Sequence, residues 1–316
     1  MFAVLGITGQ VGGAVARSLL AAGLPVRAIV RTTHKGEIWA EQGCEICVAD
    51  IGDRDALTAA FEGASGVFVM LPPNFDPTEG FPETIHIVES IHRALDVTRP
   101  DRVVCLSTIG AQATQPNLLT KLGMMERRLG TLPIPVTFLR AAWFMENTAR
   151  DIPALIADGA MPSYLQPLDK PVPMVATDDI GRIAAELLCQ PDAASVVELE
   201  GPQRVTPLEM ASVLGRLLGR TVRVEAVPRD RWFDAFREQG ASNPEPRMRM
   251  LDGFNEGWIE FEHGVAGSIK GIVSIEQALT RLIERIAPQA LRIAHDSRSS
   301  GQATPVLQVP LQESAE

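Results

Sequence analysis

The sequence is poor in aromatic residues. Phe, Trp and Tyr make up 5% of its 316 residues, and the single tyrosine is Tyr164. Ala, Val, Ile and Leu must therefore supply most of the core, and chemistry that needs a phenol has one position to draw on. Cysteine is scarce as well. The four present have no framework spacing, which argues against a disulfide scaffold and suits a reducing, cytoplasmic setting. No stretch approaches the roughly 18 apolar residues of a membrane span. The opening "MFAVLGITG" lacks a basic region ahead of its short apolar run, so a secretory signal is not expected. Positive charge is also in deficit. A net charge of −10, without a sizeable basic patch, argues against direct binding to nucleic acid.

Several motifs are missing or misleading. H-E-x-x-H, G-x-S-x-G, a P-loop and internal repeats are all absent. "CEIC" lies in an expected strand, where residues three apart point to opposite faces, so it reads as core rather than a redox pair. Glu83, His86, Glu89 and His92 fan around about half of one helix at roughly 100° per residue, so no metal site is expected.

At 46% hydrophobic and 22% charged, the chain has the composition of a globular protein. Apolar runs at "FAVLGI", "PVRAIVR", "CEICVAD", "GVFVML", "RVVCLS" and "IPVTFLR" alternate with helical periodicities, such as Ile85, Val88, Ile91 and Leu95. That alternation predicts an α/β fold: a doubly wound parallel sheet covered on both faces. After Asp151 the pattern changes. Prolines at 153, 162, 167, 171 and 173 predict loops. "TDDIGRIAAELL" then predicts a helix capped by Thr177, and "TPLEMASVLGRLLG" one with a capping box from Thr206 and Glu209. "VRVEAV" reads as a short strand and "SIEQALTRLIERI" as a last helix. The expected organisation is a larger α/β domain over 1–150, a smaller C-terminal α+β portion over 151–294, in which the sheet is open to sharing, and a disordered polar tail over 295–316.

"GITGQVGGAV" follows the first strand and opens a helix, the context of a dinucleotide-binding turn. Gly6 permits the tight turn, Gly9 lets the backbone approach a pyrophosphate, and Gly12 lets helix and strand pack closely. Thr8, Gly9, Gln10 and Val11 bring free N–H groups and the positive end of the helix dipole. Arg31 ends the second strand, where NAD-binding proteins carry an acid for the ribose 2′-hydroxyl. With Lys35 and His34 beside it, it favours a 2′-phosphate, so NADP(H) is expected over NAD(H). Asp50 either accepts from the adenine amino group, with Ile51 against the ring, or caps the following helix. Leu71 and Pro72, ending the fourth strand, lie where the cofactor ribose is expected.

Taken together, "GITGQVG", "VADIGD", "STIGA", "PVTFLRAAWFMEN", "ATDDIGRIAAELL" and "ELEGPQRVTPLEMASVLGRLLGR" resemble the NmrA-like group of atypical short-chain dehydrogenase/reductases over about residues 1–290. The resemblance implies a Rossmann domain with a small C-terminal substrate portion. It also implies one of two uses: NAD(P)H-dependent reduction of quinones, azo compounds or other small electrophiles, or non-catalytic redox sensing through a protein partner. In relatives of the isoflavone-reductase type, a lysine after an S-x-x-G strand end is catalytic. Ser107 to Gly110 followed by Lys121 resembles that arrangement and marks Lys121 and Ser107 as candidate catalytic residues. In quinone-reductase-like members a W-[FY]-x-E-N segment lines the nicotinamide and substrate site, which carries over to Trp143, Phe144, Glu146 and Asn147. Asn117 stands four residues before Lys121, where many nicotinamide enzymes hold a proton-donating tyrosine. A quinone needs that donor less than a ketone does, because its reduced oxyanion is delocalised. The expected reaction is therefore hydride transfer to a small conjugated acceptor. Nothing in the sequence bears on oligomeric state.

Overall fold

The computed structural model describes residues 1–289 and 291. Its strands are β1 (Phe2–Leu5), β2 (Val26–Val30), β3 (Glu45–Val48), β4 (Gly66–Val69), β5 (Arg102–Thr108), β6 (Val136–Ala141), β7 (Trp143–Phe144), β8 (Ala160–Ser163), β9 (Met174–Val175), β10 (Val196–Glu200), β11 (Arg223–Ala226) and β12 (Ile269–Lys270). The helices are α1 (Gln10–Ala21), α2 (Glu37–Ala40), α3 (Arg54–Phe61), α4 (Pro82–Thr98), α5 (Thr120–Leu129), α6 (Ile152–Asp158), α7 (Thr177–Cys189), α8 (Pro207–Leu218), α9 (Trp232–Glu238), α10 (Glu245–Glu256), α11 (Gly264–Gly267) and α12 (Ile275–Ile286).

Eight strands form one sheet in the order β12-β10-β6-β5-β4-β1-β2-β3, and every pairing in it is parallel. Parallel strands need crossovers, and the helices that make them cover both faces. The pleat divides the side chains accordingly. Val4, Phe68, Val104 and Leu106 enter one core with α1 and α7. Ala3, Leu5, Val67, Val69, Val103 and Cys105 enter the other with α3, α4 and α5. The order reverses at β1, which pairs with β2 on one side and β4 on the other. The crevice beyond the carboxyl ends of β1 and β4 is thus the topological switch point. The later chain returns β10 and β12 to the main sheet, while β7 pairs with β9 and β8 with β11 in two small sheets.

Three local expectations need correction. Thr177 does not cap α7; the helix begins at Thr177, with Ala176 at the cap and no cap from its own segment. The carboxylate of Glu146 takes that role, accepting from Thr177 N at 3.0 Å and from its Oγ1 at 3.0 Å. A distant chain segment has replaced a local cap, which sequence spacing does not reveal. Pro153 and Pro162 do not lie in loops. Pro153 sits in the first turn of α6, where an N–H would be unpaired anyway, and Pro162 lies in β8, which has one neighbour. Asp50 does not cap α3: Asp53 does, accepting from Asp55 N and Ala56 N. The capping box of Thr206 and Glu209 forms as expected. The tail over 295–316, expected to be disordered, lies outside the described residues.

Candidate active site

The glycine turn lies at the switch point. Gly6 adopts φ +72°, the left-handed region that favours glycine, and a Cβ there would meet the Met70 sulfur at 2.9 Å. Gly9 N donates to Gly6 O at 2.9 Å, closing the turn. Gly9 then caps α1 with no side-chain hydrogen bond and no acid in the first turn. The N–H groups that open α1 have no side-chain acceptor, and Thr8, Gly9 and Gln10 are exposed. Such an end binds phosphate readily. Val11 and Gly12 are buried, so only their backbone faces the turn, and Val11 belongs to the core.

Arg31 and Lys35 are exposed just past β2. Among the described residues neither has a carboxylate partner, whereas His34 Nδ1 lies 3.1 Å from Glu37. Asp50 is exposed one residue past Ala49, and its Oδ1 accepts from Gly52 N at 2.8 Å, leaving Oδ2 open. Ile51 is half-buried against the second core, Leu71 is buried, and Pro72 is exposed. These residues follow the carboxyl ends of β2, β3 and β4. The observed turn fits a dinucleotide: an uncapped helix end and a left-handed glycine.

Lys121 is not a surface lysine. Its residue is 7% exposed in the first turn of α5, and Nζ donates to Asn74 O at 2.6 Å in the loop after β4. Burial lowers its pKa to about 8, against a small opposing pull from Glu83. A depressed folded pKa means the charged form is disfavoured on folding. Stability contributed by this group is therefore smallest below pH 8 and rises between about 8 and the unfolded value of 10.5. Urea unfolding at pH 7.5 and pH 10 should show that rise in the native protein and lose it in Lys121→Met. An identical pH response in both proteins would refute the assignment.

Ser107 makes a separate set of contacts. It lies inside β5 rather than capping it, and its hydroxyl donates to Glu126 Oε1. Glu126 in turn receives Arg140 Nε at 2.9 Å and Nη2 at 2.7 Å, a buried ion network that also holds Glu198 and Glu262. Asn117 holds the loop before α5. It is 2% exposed, accepts from Leu119 N and donates to Gln115 O, building the turn that precedes α5. Tyr164 packs with its ring 4.9 Å from that of Phe236 and 5.7 Å from that of Trp232.

Trp143 packs edge-on against Phe254 at 5.3 Å, tying β7 to α10, and both Trp143 and Phe144 are half-buried. Asn147 is exposed. The loop after β4 is latched to the later chain: Asp76 accepts from Ser242 N at 2.8 Å and from Asn243 N, and Asn243 Nδ2 donates to Pro77 O at 2.9 Å. Leu118 N also donates to Pro246 O at 2.8 Å. Phe75 thereby meets Arg247, and Arg150, followed by Asp151, stacks on the same ring, four residues the sequence patterns do not flag. The one available signal is that Arg150 and Asp151 directly follow "WFMENTA". Cys44 and Cys47 have their thiol pKa values raised by burial, as core positions should, and no group of metal-ligating side chains forms among the described residues.

Residues 1–266 match the NmrA-like family. This chain belongs to that family. It is 26% identical over 259 residues, 81% of this chain and 85% of the relative, to an NAD(P)H azoreductase of Xenophilus azovorans. It is 26% identical over 225 residues, 70% of this chain and 76% of the relative, to quinone oxidoreductase 2 of Escherichia coli strain K12. The structure of a Citrobacter sp. triphenylmethane reductase complexed with NADP(H) superposes with a TM-score of 0.73 at 22% identity, over 89% of this chain and all of that one. The Rossmann-type sheet expected for an NmrA-like chain is thus what the structure presents. No described helix is long and apolar enough to cross a membrane.

Proposed function

We propose that this NmrA-like protein is an NADPH-dependent reductase of small conjugated acceptors, with quinones as the acceptor class. The observation that carries the reading is the juxtaposition of the uncapped glycine turn with a buried Lys121 at the same end of the sheet. Relatives named for azo and quinone reduction support it, since both acceptors are conjugated. Arg31 and Lys35 support NADP(H) over NAD(H).

The nicotinamide supplies the hydride; the protein must bind, orient and exclude water. In this reading the helix end and Gly9 hold the pyrophosphate, and Arg31 the 2′-phosphate. Trp143 and Phe144 form a dry wall. Lys121 holds a proton at Nζ, or the cofactor ribose, within reach of the Asn74 carbonyl. With no phenol at position 117, the site suits acceptors whose reduced form stabilises its own negative charge.

The test is NADPH and NADH oxidation, followed at 340 nm, against a panel of benzo- and naphthoquinones. Turnover with NADPH exceeding that with NADH is the expected result. Tight NADPH binding with no turnover on any acceptor would replace this reading with the regulatory one, in which cofactor occupancy controls a protein partner.

A further inference from the structure

Two arginines converge on one aromatic ring beside the crevice. The guanidinium of Arg150 lies 4.3 Å from the Phe75 ring centre, and that of Arg247 lies 5.9 Å from the same centre and 4.1 Å from that of Phe236. Phe75 belongs to the loop after β4 and is adjacent to Asn74, whose carbonyl holds Lys121. The pair therefore stacks on a ring one residue along the chain from the carbonyl that holds Lys121.

The charge balance there is incomplete. Among the described residues, neither guanidinium has a carboxylate oxygen within 4.0 Å; Arg247 Nη1 donates to the neutral Gln239 at 3.2 Å. Asp151 is the acid that senses both arginines, yet burial pushes its carboxyl up to about 6 despite them. Arg247 is pulled below the usual arginine range by burial and then by the like charge of Arg150. Two cations, Arg150 exposed and Arg247 half-buried, and one reluctant anion leave a positive excess beside two aromatic rings. This stands out in a chain of net charge −10, whose long-range field repels anions. Beyond about 8 Å that field is screened at physiological salt, so the local arginines decide the contact.

The geometry points to an anionic group on the substrate: a planar conjugated acceptor bearing a carboxylate, sulfonate or phosphate that Arg150 and Arg247 bind together, with its ring system against Phe75. This deepens the reductase reading and rests on it for the word substrate. The anion site itself rests on the arginine pair. Guanidinium groups are suited to it, since their forked donors match such oxyanions and their planes stack on aromatic rings.

The experiment is calorimetric titration of the full-length protein saturated with NADPH, so that the nucleotide site is filled. The probes are 2-naphthalenesulfonate and its neutral counterpart 2-naphthol, neither of which is reduced. The sulfonate should bind at least about tenfold more tightly, as charged hydrogen bonds allow. The gap should shrink as salt is raised and vanish in the Arg150→Met, Arg247→Met double variant. Should that variant fail to fold, Arg150→Gln at an exposed position should still narrow the gap. Equal affinities for the two probes, or a gap unchanged in the variants, would overturn the anion site. Binding is read without turnover, so a protein that oxidises no NADPH loses the reductase reading and keeps this one. A protein that turns over with no charge preference does the reverse.

Discussion

Replacing Arg140 by methionine is expected to cost about 3–5 kcal/mol of stability, the loss typical of breaking one partner out of a buried ion network. The guanidinium is 6% exposed at the end of β6 and faces Glu126, Glu198 and Glu262 at 2.7, 3.7 and 2.7 Å. Glu262 is half in solvent and can hydrate. Glu126 and Glu198 are 11% and 2% exposed and cannot. Without Arg140 they remain as uncompensated buried charge, and the Ser107 hydroxyl and the Glu262 and His263 amides that bond them are poor substitutes. Thermal unfolding should shift down on the order of 10 °C for a chain of this size. A shift of one or two degrees would show that the carboxylates find water or protons cheaply, and that the network is not what anchors β6 to β10.

Gly12→Ala is expected to abolish useful cofactor binding, lowering NADPH affinity at least about 100-fold, while costing about 1–3 kcal/mol through overpacking. A Cβ at Gly12 would lie 2.2 Å from the Gly6 carbonyl oxygen, 2.5 Å from its carbon and 2.8 Å from Ile7 N. All three are backbone atoms of the turn, so none can rotate away. The start of α1 must move off β1, and the Gly6–Gly9 hydrogen bond that shapes the phosphate cradle goes with it. Gly9→Ala is the contrast. Its Cβ would meet only Gly6 O at 3.3 Å, so the fold should hold within about 1 kcal/mol while phosphate approach is blocked. Calorimetric titration with NADPH separates the two effects from denaturant unfolding. Unchanged affinity in Gly12→Ala would mean that the dinucleotide binds away from this turn.

The chemistry of Lys121 shows where sequence reading ends. Its spacing from the S-x-x-G strand end is visible in the chain, but its burial and its bond to Asn74 are not. Those depend on how the loop after β4 is tied down by Asp76 and the backbone of Ser242 and Asn243, residues about 166 positions apart. Glu146 illustrates the same limit. It sits within a recognisable W-F-x-E-N segment, yet its carboxylate caps α7, some thirty residues on, and so serves the fold. For Ser107 too, its place before the strand end is visible in the chain, but its bond to Glu126, which Arg140 also holds, is not.

The sequence by itself determined the alternation of strand and helix, the parallel sheet, the glycine turn and the cationic end of the second strand. Those features are local: apolar periodicity sets which side a residue faces, and glycine sets which backbone turns are open. Only the tertiary structure decided which titratable groups are desolvated and which cations stay without partners. Burial and pairing are sums over segments far apart in the chain. Arg150 and Arg247, nearly a hundred residues apart, become one positive site when both close on Phe75.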